Sequence, residues 1–132
     1  MPNGTILVAE DDDMVRSFVR SVLERHGYRV LAAQDGAAAL ALAERAGLTE
    51  IDLVLTDVDM PALNGIELVR SLRQLRPDLK ILYMTGDPAV RLYELRGAGG
   101  VIEKPFAYST LLRGVAACLS EQRPLRAGVS VA

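Results

Sequence analysis

Long apolar runs, a second cysteine and a strong excess of either charge are all missing from this chain. It has 132 residues and one cysteine, Cys118. A lone cysteine excludes an internal disulfide and fits a reducing cytoplasmic compartment. In its helical context it reads as a small apolar residue rather than a reactive thiol. No apolar run approaches the roughly 20 residues of a membrane span, and the start, MPNGT, has neither the basic residues nor the apolar stretch of a signal peptide. The formal net charge is -2, which gives no general attraction to nucleic acid or to an anionic membrane. Lysine is scarce too. Basic charge is mostly arginine, with Lys80 and Lys104 the two exceptions, so a lysine at a special place stands out.

What is present is one domain's worth of chain, half of it hydrophobic, in regular alternation. Short apolar runs at 5–10, 28–33, 51–56, 79–85 and 100–104 predict five strands. Between and after them lie helical patterns. Residues 12–26 carry Val15, Phe18, Val19, Val22 and Leu23 on one stripe, closed by Gly27. Residues 36–46 are strong helix formers ending at Gly47. Residues 65–75 put Ile66, Leu68, Val69, Leu72 and Leu75 on one face, 88–97 predict a short helix begun by Pro88, and 107–121 direct Leu111, Leu112, Val115, Ala116 and Leu119 inward. Five βα units predict an α/β domain over residues 5–121, a doubly wound parallel sheet with helices on both faces. Residues 1–4 and 122–132 read as flexible termini. The ligand site of such a sheet lies beyond the carboxyl ends of its strands.

Chemistry-bearing residues fall at those ends. The first strand runs into Glu10 and Asp11, the third into Asp57 with Asp59 behind it, the fourth into Thr85 and the fifth into Lys104. Each alone has a duller account. Asp12 suits a helix N-cap and Asp13 a first helical turn; a threonine can simply end a strand, and a lysine can be solvated. Together they gather acids, a hydroxyl and an ammonium on one sheet edge from distant segments. Carboxylates held close repel, so they need a cation or raised pKa values. Oxygen donors without cysteine or histidine suit a hard ion, and Mg²⁺ takes one or two carboxylates, waters and a phosphate oxygen. An aspartate can accept a phosphoryl group as an acyl phosphate, and a lysine and a hydroxyl can bind that group's charge.

Asp57 and Asp59 also form the D-x-D of haloacid-dehalogenase-type phosphohydrolases. In those enzymes the motif follows the first core strand, and an acidic pair follows the lysine. Here it follows the third strand, the acidic pair precedes it, and the acid after Lys104 is Glu121. The stretches ILVAEDD (6–12), LVLTDVDMPALNG (53–65), ILYMTG (81–86) and EKPF (103–106), in this order, resemble instead the receiver domain of bacterial two-component response regulators over residues 5 to about 120. The resemblance implies the flavodoxin-like (βα)5 fold with strand order 2-1-3-4-5. It implies Asp57 as phosphoacceptor, served by a sensor histidine kinase or a histidine phosphotransfer protein. Asp11 and Asp57 would hold Mg²⁺ through carboxylates, Asp59 through its backbone carbonyl, and Glu10 directly or through water. Thr85 and Lys104 would bind the phosphoryl group. A cis Lys104–Pro105 bond is expected, with Met60, Pro61 and Gly65 shaping the loop after the acceptor and Phe106 as a core anchor. The domain would be no enzyme beyond its own phosphorylation and dephosphorylation. It would act in the cytoplasm on a downstream protein, without direct contact to nucleic acid or membrane. A module that binds its partner without phosphorylation is the alternative.

The chain departs from the family pattern in places. The position three before the lysine, often aromatic, is Val101, which has no ring to swing inward; Tyr83 is the nearest substitute, with core packing as its default. The stretch between Thr85 and Lys104 is about three residues short. Asp59 and Asp87 add acid where the family tunes acyl-phosphate lifetime. Arg91, Tyr93 and Arg96 are candidate reader contacts, with a solvated helix face as their plainer account. The short tail after the last helix predicts a stand-alone regulator rather than a piece of a hybrid kinase.

Overall fold

Two faces of one parallel sheet account for most of the apolar sequence. The computed structural model describes residues 3–86 and 100–120. The strands are β1 (Gly4–Ala9), β2 (Tyr28–Ala33), β3 (Leu53–Asp57), β4 (Ile81–Thr85) and β5 (Gly100–Glu103). They pair in parallel in the order β2-β1-β3-β4-β5, as anticipated. The helices are α1 (Asp13–Arg25), α2 (Gly36–Ala46), α3 (Gly65–Leu75) and α4 (Tyr108–Ser120), with a 3-10 turn at Leu48–Glu50. The helix expected over 88–97 and the tail at 122–132 lie outside the described residues, as do Asp87, Arg91, Tyr93, Arg96 and Glu121.

Side chains alternate across the sheet and feed two cores. Ile6, Val8, Leu53, Leu55, Leu82 and Met84 pack with Val19 and Leu23 of α1 and with Leu111, Val115 and Cys118 of α4. Leu7, Ala9, Val54, Ile81 and Tyr83 pack with Ala39 and Ala43 of α2 and with Leu68, Val69 and Leu72 of α3. Because both faces are covered, β1, β3 and β4 can be apolar at nearly every position. Cys118 is buried in the core beneath α4, as its helical context suggested.

β3 and β4 begin later than their apolar runs. Ile51 and Leu79 are fully buried, yet β3 starts at Leu53 and β4 at Ile81. The Ile51 amide donates to Leu48 and the Leu79 amide to Arg76, so both belong to entry turns. Arg76 ties those turns together by donating to the carbonyls of Leu48 and Ile51. Burial and strand pairing are separate properties, and hydropathy reports only the first. Three helical positions expected inward face out: Phe18 and Leu75 are exposed, as is Ala116. In each case the buried stripe is narrower than the apolar one. Phe106 is only half-buried, its ring 6.3 Å from that of Phe18.

The helix ends follow local chemistry. Asp12 caps α1, its carboxylate accepting from the Met14 and Val15 amides. Asn64 and Glu67 form a reciprocal capping box at the start of α3. At the opposite end of the sheet Lys80 Nζ donates to the Leu119 carbonyl at 3.1 Å, fastening the last turn of α4 to the residue before β4. No described helix is long and apolar enough to cross a membrane.

Candidate functional site

The parallel arrangement puts the carboxyl ends of β1, β3, β4 and β5 on one edge, and register fixes how far each reaches. Ala9 is level with Thr56, Asp57 with Met84, and Thr85 with Glu103. Glu10, Asp57, Thr85 and Lys104 therefore emerge together. The backbone locks them further: the Lys104 amide donates to Thr85 at 2.8 Å, the Val58 amide to Met84 at 3.0 Å, and the Glu10 amide to Ala33 at 3.1 Å.

The side chains converge. Glu10, Asp11 and Asp57 offer carboxylate oxygens that lie within 4.8 Å of one another. Glu10 and Asp57 are buried, while Asp11 is exposed. Lys104 Nζ stands 2.7 Å from Glu10 Oε1 and 3.0 Å from Asp57 Oδ2. Glu10 Oε2 accepts the Asp12 amide at 3.0 Å, and Asp57 Oδ1 accepts the Asp59 amide at 3.3 Å. Glu10 Oε1 is fully buried, and the Lys104 ammonium is the partner that faces it among the described residues.

Burial is the largest influence on these groups. It lifts the Glu10 carboxyl above its ordinary value of 4.5 and the Asp57 carboxyl above 3.8, although Lys104 pulls both back. Burial alone would lower the Lys104 ammonium. Its bonds to Glu10 and Asp57 outweigh that, and the net shift is upward from 10.5. One ammonium thus serves two buried carboxylates, with a third carboxylate nearby. The donor set is all oxygen and carries excess negative charge, with two buried carboxylates sharing one ammonium. Those features suit a hard divalent cation, and the acidic cluster is compatible with a magnesium site.

The loop after Asp57 is shaped by close approach. A Cβ on Gly65 would stand 2.0 Å from the Asp57 carbonyl oxygen, so only glycine fits there. Ala62 in the same loop takes φ 66°. Asp59 is exposed and its carboxylate lies outside the cluster of three, so it differs from Asp57 in both burial and setting. Thr85 is buried at the end of β4. The Lys104–Pro105 bond is cis. Val101 packs against the core on the α2 and α3 side, opposite Tyr83. Tyr83 is buried there, with its phenol pKa raised by burial. Its default role in the core is what the fold displays.

One functional neighbour escaped sequence reading. Arg16, in the first turns of α1, donates through Nη1 to the Glu10 carbonyl at 2.9 Å and through Nη2 to Asp13 at 2.5 Å. An arginine five residues beyond Asp11 is the available signal, and nothing in the helical pattern sets it apart from a solvated surface charge.

A model of the response regulator receiver domain matches residues 6–116. The chain is 40% identical over 113 residues to the response regulator receiver protein CpdR of Brucella abortus (strain 2308), covering 83% of this chain and 92% of that protein. It is 35% identical over 123 residues to the sensor kinase CckA of the same organism, covering 91% of this chain but only 13% of the kinase. Among solved structures, it is similar to the response regulator TrrA of Thermotoga maritima in complex with Mg²⁺ and beryllium fluoride. The TM-score is 0.77 at 27% identity, covering 88% of this chain and 99% of that one.

Proposed function

This chain belongs to the response regulator receiver domains of two-component systems, and from that premise we propose that Asp57 accepts a phosphoryl group from a phosphohistidine. The donor is a sensor histidine kinase or a histidine phosphotransfer protein, and the phosphorylated surface is read by a downstream protein partner in the cytoplasm. The observation that carries the reading is the meeting of Glu10, Asp11 and Asp57 within 4.8 Å, with the Lys104 ammonium 3.0 Å from Asp57.

An Asp57 carboxylate oxygen attacks phosphorus and forms an O–P bond. The P–N bond to the donor imidazole breaks, its electron pair stays on nitrogen, and that nitrogen regains a proton from solvent. Mg²⁺ would be held by the carboxylates of Asp11 and Asp57 and the carbonyl of Asp59, with Glu10 joining directly or through water, and it would supply positive charge against the crowded oxygens. Lys104 adds a point charge to the arriving group, and the Thr85 hydroxyl donates a hydrogen bond to it. The product adds about -1.5 to -2 of charge. Lys104 then divides its contacts between Glu10 and the new phosphoryl oxygens, which favours one arrangement of the loops after β4 and β5 over another. TrrA was solved in complex with Mg²⁺ and beryllium fluoride together, and a response regulator of similar fold that takes both supports this reading.

Acetyl phosphate or phosphoramidate with Mg²⁺, followed by intact mass measurement, tests it. The wild-type chain gains one phosphoryl group, and neither Asp57→Asn nor the wild type with chelator does. No gain from any donor would favour a module that binds its partner without phosphorylation. Turnover of a phosphate monoester, lost in Asp59→Asn, would favour a phosphatase.

A further inference from the structure

Glu10 has four polar contacts among the described residues, and one of them is made by a side chain of α1. Its amide reaches Ala33, Oε2 takes the Asp12 amide, and Oε1 faces Lys104. Its carbonyl is held by Arg16 Nη1 at 2.9 Å. That carbonyl belongs to the same planar peptide as the Asp11 amide, so fixing it fixes the plane from which the Asp11 Cα departs. No hydrogen bond among the described residues reaches the Asp11 carboxylate, which is exposed. Its aim toward Asp57 therefore depends on the main chain beneath it. Arg16 is well placed to hold that main chain. Its own amide bonds to Asp12, its second guanidinium arm bonds to Asp13, and its side chain is 21% exposed. The planar fork presents two nitrogens to a carbonyl and a carboxylate in one fixed geometry, which the single nitrogen of an ammonium does not reproduce.

We propose that Arg16 is a positioning residue for the metal pocket, holding the Glu10–Asp11 peptide so that the Asp11 carboxylate stays aimed at Asp57. This rests on reading the pocket as a Mg²⁺ site, and it concerns a side chain that touches neither the ion nor the phosphoryl group. Two effects of Arg16 on Mg²⁺ oppose each other. Its positive charge repels the cation, though Asp13 screens that charge. Its hydrogen bond prearranges one of the ligands. Prearrangement acts through geometry at bonding distance and dominates, as it does where groups behind metal ligands are removed and affinity falls by ~10- to 100-fold.

The two effects predict opposite signs, so a pair of variants separates them. Mg²⁺ affinity is measured by calorimetry without any phosphodonor, in the wild type, Arg16→Lys and Arg16→Gln. Positioning predicts that both variants weaken Mg²⁺ binding by about tenfold. The metal-free melting temperature should change little. The Mg²⁺ concentration giving half-maximal phosphorylation by acetyl phosphate should rise, while the rate at saturating Mg²⁺ recovers. An unchanged dissociation constant in Arg16→Lys, or a tighter one in Arg16→Gln, overturns the proposal, since only charge would then be at work. Should Arg16→Gln fail to fold, Arg16→Lys decides by itself, because it keeps the charge and the helix propensity. A wild type that binds no Mg²⁺ overturns this inference and the metal reading together. A wild type that binds Mg²⁺ beside unaffected variants overturns this inference alone.

Discussion

Lys104 Nζ lies 3.0 Å from Asp57 Oδ2, although 47 residues separate them in sequence. The contact exists because β3, β4 and β5 are parallel neighbours whose ends are level, so chain separation becomes adjacency at one edge. Its meaning depends on Glu10, which claims the same ammonium from the other side.

Lys104→Ala tests how much of that pairing is structural. Two buried carboxylates lose their cation, so the metal-free protein should lose roughly 1 to 3 kcal/mol of stability while still unfolding cooperatively. Mg²⁺ should restore much of the loss. Denaturant titrations with and without the ion read both effects. Wholesale unfolding would make Lys104 chiefly a structural residue.

The metal-free protein should lose stability as pH rises from about 4. Glu10 and Asp57 titrate higher in the folded chain than at their ordinary 4.5 and 3.8, mainly through burial. Above those ordinary values the folded state holds more protons than the unfolded one, so stability falls with pH until the raised values are passed. Lys104 acts in another window. Its raised value means that its contribution is present below 10.5 and lost as pH climbs through the folded value. Thermal melts across pH 4 to 8, repeated with saturating Mg²⁺, should display a slope that the ion flattens. A slope of the opposite sign in metal-free protein would mean that Lys104, rather than burial, dominates the two carboxyls.

Gly65→Ala should disturb the acceptor without touching its side chain. The new Cβ would meet the Asp57 carbonyl at 2.0 Å, and that neighbour is backbone, which cannot rotate away. A loss of roughly 1 to 3 kcal/mol is expected, together with slower phosphorylation from acetyl phosphate. Wild-type behaviour in both would mean that the loop moves aside freely.

The fold was legible because its signals are repetitive. Apolar runs such as those at Leu7 and Leu55 mark strands buried on both faces, and the stripe through Val19 and Leu23 marks a helix. What hydropathy could not separate was Ile51 and Leu79, which are buried like strand residues but spend their amides in turns. Likewise it could not tell that Phe18 and Leu75 sit at the margin of their stripes. The convergence of Glu10, Asp11, Asp57 and Lys104 was readable because parallel topology forces strand ends together. The sharing of one ammonium between Glu10 and Asp57, and the grip of Arg16 on a carbonyl, were not. Both depend on side-chain reach and main-chain orientation, which leave no periodic trace.

Lys80 and Leu119 set how the last helix can respond to events at the far edge of the sheet. The final turn of α4 is tethered beside the start of β4, at the end of the sheet away from Lys104, while Leu111 and Val115 anchor the rest of the helix in the core. Lys104 and Pro105 lead directly into the Tyr108 end of α4, so a change at the acidic cluster would enter the helix at the end opposite that tether.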